Sequence, residues 1–363
     1  MKRCTFLVLG FLLCLSGVGQ SGAYIGVKTP SEIPWEELSI SGKRFIVTGE
    51  AHNVSCNYPF QLSELKYLVS KGFRHLVWEV PFSYGLIAQE YINTGNDSLF
   101  QFIGGYKELE DYWKGVYQLN KEMAAGDKLH LWGIDHEIGE NSGSLNRARL
   151  FIKALHLLVE DKGELPVLLQ KEFQHLKFPI QSSALREIKH RLNQMQELPE
   201  IKDFLGSGLT NFQILVNRLD YYKVKRNDEM LEAFNEICTL FKLDSSAKFL
   251  GRFGWGHIDK SYRHSMSYLL ENDLASPVKN STYVVGVQYI DCAAFSSRAS
   301  IVLENEGVVN DRAQKRVLRK FQDHDTTPIK IFQWPAGKSA TGWKEEVDVL
   351  FVFSGYGGIE PVK

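Results

Sequence analysis

Apolar residues fall along this chain in two kinds of block. Runs of β-branched, aromatic and Leu residues at 44–50 (RFIVTGE), 75–80 (HLVWEV) and 129–137 (LHLWGIDHE) predict strands. Each precedes a stretch with apolar residues at helical spacing: 58–72 (YPFQLSELKYLVSKG), 84–95 (YGLIAQEYINTG) and 144–160 (SLNRARLFIKALHLLVE). In the first of these Leu62, Leu65 and Val69 set the period, and Gly72 is placed to end the helix. Strand and helix alternating in this way predict parallel βαβ units. From about Glu164 to Leu243 the pattern is amphipathic and contains no strand signal, as in SALREIKHRLNQMQ and the long run from Asn211 to Lys242. Strand signals resume at 247–254 (AKFLGRFG), 281–290 (STYVVGVQYI), 328–335 (PIKIFQWP) and 347–355 (VDVLFVFSG), with a helical stretch expected at 260–272 (KSYRHSMSYLLEN). The expectation is an α/β fold: a mostly parallel central sheet flanked by helices, forming one domain over 24–363, with a helical insertion or cap over about 164–243.

The polar residues that punctuate the strands are the chemically informative ones. In open parallel sheets, ligands bind beyond the carboxyl ends of the strands. The first strand run ends at Glu50 and His52, the second at Glu79, the third at Asp135 with His136 and Glu137, the fourth at His257 in GWGH, and the fifth at Asp291. Any one of these taken alone reads more readily as a loop residue or a helix cap. Parallel strands would bring them together, and converging carboxylates and imidazoles serve general acid and base catalysis or metal binding. Glu79 is the sharpest case, because LVW and VPF enclose it in apolar residues and a buried carboxylate requires a charged or hydrogen-bonding partner. A carboxylate against the His52 ring would fix its tautomer and raise its basicity, leaving the other nitrogen to activate water.

Composition narrows the setting. Met1, Lys2 and Arg3 followed by CTFLVLGFLLCLSG and small residues follow the order of a secretory signal peptide, so residues 1–23 are set apart from the fold. The expected protein is exported, periplasmic or extracellular, without stable membrane insertion after cleavage. A lipid-modified Cys14 is disfavoured because the apolar segment continues past it. Loss of Lys2 and Arg3 takes 42 basic residues to 40 against 43 acidic ones, a net charge of −3, which argues against nucleic-acid binding. Cys56, Cys238 and Cys292 remain, too few for a disulfide framework. No GxSxG elbow, HExxH pair, Walker loop or dinucleotide glycine signature is present.

The motifs GEAHN (49–53), GFRHLVWE (72–79), WGID (132–135), KRNDEM (225–230), GWGHI (254–258) and DVLFVFSG (348–355), in this order, resemble the erythromycin esterase and ChaN-like superfamily, which also takes in the Tiki-type proteases. The resemblance spans nearly the whole mature chain. It implies hydrolytic chemistry on an ester or lactone, with His52 as general base on water, Glu50 and Glu79 as its supporting carboxylates, and His257 as a second acid or orienter. Arg226 would be the cation for a developing oxyanion or a substrate carboxylate, and Asp135 belongs to the same set. GEAHN is nearer the ChaN-like form, and GWGH, with Gly254 where the esterases carry a histidine, is nearer the Tiki branch.

Three further readings follow from the same residues. Glu50, His52, Glu79 and His257 form a candidate ligand set for Mn²⁺, Co²⁺ or Zn²⁺ in a metal-dependent peptidase or hydrolase. A non-catalytic ChaN-like haem or iron binder would use aromatics such as Tyr58, Tyr84, Tyr221 and Tyr222. Cys292 is a candidate thiol nucleophile, although a cysteine in that position is more commonly core. No resident cofactor is required by the esterase reading, whose partner is a small-molecule or peptide substrate.

Overall fold

The computed structural model describes residues 24–137, 144–160, 162–175, 182–219, 225–290, 292–296, 301–304, 327–333 and 346–355. Residues 1–23, expected from the sequence as a leader, and Tyr221, Tyr222 and Asp291 lie outside the described residues. In chain order the first half runs β1 (Tyr24–Val27), β2 (Phe45–Glu50), α1 (Asn57–Ser70), β3 (His75–Pro81), α2 (Phe82–Thr94), α3 (Phe100–Ile103), α4 (Lys107–Glu122), β4 (His130–Asp135) and α5 (Ser144–Val159). Then come α6 (Val167–His175), α7 (Ser182–Met195), α8 (Pro199–Leu205), α9 (Leu209–Asn217) and α10 (Arg226–Leu240), with no strand among the described residues of this stretch. The chain closes with β5 (Phe249–Gly254), α11 (Met266–Asn272), β6 (Thr282–Ile290), β7 (Ala293–Ser296), β8 (Ile301–Glu304), β9 (Ile329–Gln333) and β10 (Val349–Ser354).

Eight strands form one sheet in the order β1-β9-β10-β6-β2-β5-β3-β4. The six from β10 to β4 are mutually parallel, whereas β9 runs antiparallel to β10 and β1 antiparallel to β9. β7 and β8 pair separately as an antiparallel ribbon. The mostly parallel α/β sheet is therefore as expected, with an antiparallel edge that the sequence pattern did not indicate.

The two faces of the sheet follow from strand alternation. On β2, Phe45 stacks on Phe249 and meets Phe234 of α10, while Thr48, three residues on, donates to Glu64 of α1 at 2.8 Å. Thus α10 covers one face and α1 the other, where Phe60 packs on Phe351 and Phe353 of β10. Burial on both faces explains why β2 and β6 read as continuous apolar runs.

Local departures from the sequence expectation have identifiable causes. The helix expected over 260–272 starts only at Met266, where the Ser265 hydroxyl accepts the Tyr268 N–H at 3.1 Å as an N-cap. Gly72, at φ +87°, closes α1 with Gly72 N–H to Val69 O and Phe73 N–H to Leu68 O, as its place in the sequence suggested. The buried face of α1 differs, however: Leu65 is buried, but Leu62 and Val69 are only partly so, and Asn57, Gln61 and Glu64 lie inside. Among the described residues no helix is long and apolar enough to cross a membrane.

Candidate active site

Strand order assembles the site. After β2 the chain moves to β3 and β4 on one side, returns to fill the gap with β5, then continues on the other side with β6 and β10. The carboxyl ends of β2, β5 and β3 thus lie side by side at the reversal of direction, the position where open sheets bind ligands. Glu50, last in β2, is in register with Gly254, last in β5. On β3 the register with β4 shifts between Trp78 and Pro81, which takes Glu79 out of the ladder. A cavity of ≈ 330 Å³ opens there, lined by Glu50, His52, Gln61, Trp78, Glu79 and Tyr84 among others.

His52 sits on a turn whose next residue, Asn53, adopts left-handed φ of 63°, a conformation asparagine tolerates. Asn57 Nδ2 donates to Ala51 O at 2.7 Å and ties the turn to the start of α1. The His52 side chain is 55% exposed, with Nδ1 3.8 Å from Glu50 Oε1 and Nε2 3.8 Å from Glu79 Oε2. Neither carboxylate is at hydrogen-bond distance, and the two flank the ring on opposite nitrogens. Burial opposes protonation, yet Glu50 and then Glu79 outweigh it and the opposing Arg226, leaving His52 above the usual imidazole value.

Glu79 is the hub. Its side chain is 6% exposed; Oε1 is 2.7 Å from Arg226 Nη2 and 3.1 Å from His257 Nε2, and Oε2 accepts the Gly254 N–H at 2.6 Å. Burial alone would raise its pKa, but His257, Arg226 and His52 overcome that and hold it at about 2. A carboxyl depressed in the folded state contributes stability above its unfolded pKa near 4.5 and loses it as pH falls toward 2. The expected contribution is roughly 3 kcal/mol. Urea unfolding between pH 6 and 2.5 should show this loss, and Glu79→Gln should flatten it; parallel curves for the two proteins would contradict the assignment.

Arg226 is the first residue of α10, a position where the helix dipole disfavours a cation. Two carboxylates offset this: besides Glu79, Asp135 accepts from Arg226 Nη2 at 2.8 Å through Oδ2 and from Nε at 3.3 Å through Oδ1. Asp135, with a fully buried side chain, also takes Arg147 Nη2 at 3.0 Å and the His136 N–H at 2.9 Å. His257 Nδ1 lies 2.5 Å from Asn227 Oδ1, and the Asn227 amide is fixed by its Nδ2 donating to His264 O at 2.7 Å. Nδ1 is therefore the donor, and His257 Nε2 faces both Glu79 and, at 3.4 Å, Arg226 Nη1.

The six residues singled out from sequence thus form one connected network, but in two tiers. Glu50, His52 and Glu79 line the cavity, whereas Arg226, His257 and Asp135 stand behind Glu79 and are not among its lining residues. Nor are His136 and Glu137: His136 pairs with Glu229, and Glu137 accepts the Ser83 N–H at 2.8 Å, with burial pushing it up to about 7. Cys292 is a buried core residue whose Sγ lies 3.5 Å from the Ile290 and Phe353 carbonyl oxygens. Among the described residues no group of three or more His, Cys, Asp or Glu is arranged to hold a metal ion.

Sequence reasoning missed Gln61, which donates to Glu50, and the pair of Arg252 with Glu64 at 2.5 Å beneath it. It also missed Asn227 and Arg147. The signal for Arg252 was present, since a lone arginine inside FLGRFG needs a buried anion. Gly254 has a steric role: a Cβ there would lie 3.1 Å from His52 Nε2 and 3.3 Å from Glu79 Oε2. Gly254→Ala should displace His52 and reduce kcat by roughly tenfold while changing stability by less than about 1 kcal/mol. Steady-state kinetics and thermal melts check this, and an unchanged kcat would contradict it.

No family model matches the chain, and no curated protein matches it. Three solved structures share its fold. A succinoglycan biosynthesis protein superposes with a TM-score of 0.60 at 15% identity, over 93% of this chain and 95% of that one. A Bacillus cereus protein gives 0.57 at 16% identity, over 93% and 95%. A histidine-to-asparagine mutant of erythromycin esterase EreC in its open conformation gives 0.57 at 11% identity, over 93% and 98%. The fold relationship to an erythromycin esterase suggested by the motifs is thus present over nearly full length in both chains.

Proposed function

We propose that the protein is an exported hydrolase in which His52 takes a proton from water that attacks an ester or lactone carbonyl. The observation that carries this reading is the half-exposed His52 ring held between two carboxylates at the mouth of a cavity, with its basicity raised by both. The sharing of fold with an erythromycin esterase supports it. A water beside the line from Nε2 to Glu79 Oε2 is within reach of both atoms. As the water oxygen bonds to the acyl carbon its proton passes to His52; as the ester C–O bond breaks, the imidazolium returns that proton to the leaving oxygen. Glu50 and Glu79 stabilise the transient imidazolium.

Arg226 acts chiefly through Glu79 and Asp135 in this scheme, keeping Glu79 ionised and pairing with Asp135, and its partly exposed edge adds positive potential beside the cleft. The hydrolysis is proposed to need no resident metal, because Glu79 Oε1 and His257 Nε2 already meet at 3.1 Å beside a guanidinium that neutralises Glu79. The test is turnover of a panel of esters, lactones and peptides by the mature protein, before and after chelation. Ester or lactone hydrolysis that survives chelation is expected. Turnover that appears only with added Mn²⁺, Co²⁺ or Zn²⁺ would instead make Glu50, His52, Glu79 and His257 ligands, and peptide cleavage alone would shift the substrate class.

A further inference from the structure

The cavity at His52 is lined by residues with polar atoms that the catalytic scheme does not use. Trp78 and Gln61 both line it, are 8% and 2% exposed, and leave Trp78 Nε1 and Gln61 Oε1 without a hydrogen-bond partner among the described residues. Behind Trp78, with ring centroids 5.8 Å apart, Tyr112 is also buried and its hydroxyl has no partner there. Buried polar groups are nearly always satisfied, so such atoms around a cavity mark where a ligand or water completes them. On these two lining residues, the Trp78 Nε1 atom can only donate and the Gln61 Oε1 atom can only accept. A hydroxyl group meets either need, whereas an alkyl chain meets neither.

Two other features constrain the ligand. Tyr58, Tyr84 and Trp78 supply aromatic walls suited to the C–H faces of a saturated ring. Glu50 and Glu79 line the cavity, and the one lining guanidinium, Arg252, is engaged by Glu64, so the lining holds no unengaged guanidinium or ammonium group to pair with an anionic ligand. A volume of ≈ 330 Å³ lies at the small end of ligand pockets. We infer that this pocket binds a neutral, hydroxylated saturated ring of monosaccharide size, so that the ester cleaved at His52 is one borne by a sugar or cyclic polyol. The inference rests on the hydrolase reading for the position of the ester, but the pocket's ligand preference stands on its own residues.

The test compares kcat/KM for methyl 6-O-acetyl-glucopyranoside and cyclohexylmethyl acetate, which share the acyl group and ring size and differ in ring hydroxyls. The glucoside ester should be preferred by at least about tenfold, and Trp78→Phe, which keeps an aromatic wall and removes the donor, should reduce that preference by about tenfold. Equal turnover of the two esters, or preference for the cyclohexyl one, would overturn the inference. A melting curve checks that Trp78→Phe is folded, and the wild-type ratio is informative without the variant. If neither ester is cleaved, the placement of the cleaved ester on such a ring fails, the hydrolase reading is decided by the wider ester and lactone panel, and the pocket is tested separately by saturation-transfer NMR on His52→Ala with methyl gluco-, galacto-, manno- and xylopyranosides against cyclohexylmethanol. Binding of at least one pyranoside in preference to cyclohexylmethanol upholds the pocket. No such preference means that these polar atoms meet only water and the inference is wrong.

Discussion

Replacing Arg226 with Met should reduce kcat/KM by roughly 10²- to 10³-fold and lower stability by about 3 kcal/mol. Both effects come from the same contacts. Arg226 bridges Glu79 and Asp135, whose side chains are 6% and 0% exposed, and its removal strands buried negative charge. The stability loss is set at the low end for a broken buried pair because Arg147 still serves Asp135 at 3.0 Å. The catalytic loss follows because Glu79, left with His257 and the Gly254 N–H, regains part of its affinity for a proton and holds its place beside His52 less firmly. The two effects separate experimentally. Arg226→Lys retains the charge without the fork that spans two carboxylates, so it should recover most of the stability and only part of the activity. Urea denaturation with steady-state kinetics on the three proteins decides this. Full activity in a folded Arg226→Met would reduce the residue to a surface charge.

That contact also shows what the sequence could disclose. Burial of Glu79 within LVWEVPF was legible, and with it the need for a cation; the candidate cation, Arg226, came only with the resemblance, from 147 positions further along the chain. Pattern alone placed β2, β3, β4, β5, β6, β9 and β10, because strands buried on both faces leave long apolar runs. β1 remained hidden, as a four-residue edge strand with exposed Tyr24 and Ile25 has no such run. The adjacency of β2 and β5, which puts Gly254 against Glu50, depends on strand order and leaves no local signal.

Helix α1 is the instructive failure. Leu62, Leu65 and Val69 suggested one apolar face, yet Asn57, Gln61 and Glu64 are all buried. Their polarity looks like a solvated stripe until their partners are known: Tyr289 for Asn57, Glu50 for Gln61, and Thr48 with Arg252 for Glu64. Helical spacing at i, i+4 and i+7 shows that residues share a face but not whether that face meets water or a polar site. The stripe lies where local pattern and global fold disagree, and there the helix supports the carboxylate of the proposed site.

The central claim is that His52 is the base, with Glu50 and Glu79 raising its basicity. The measurement that tests it most directly is the pH dependence of kcat/KM for an ester cleaved by the wild type, repeated for Glu50→Gln and His52→Ala. A general base works deprotonated, so activity should rise with pH along a limb centred above the imidazole value of 6.5, since the folded-state shift is upward. Glu50→Gln should move that limb to lower pH, and His52→Ala should abolish it and cost about 10³-fold in rate. A limb that stays in place in His52→Ala, with the rate largely retained, would show that another group activates the water.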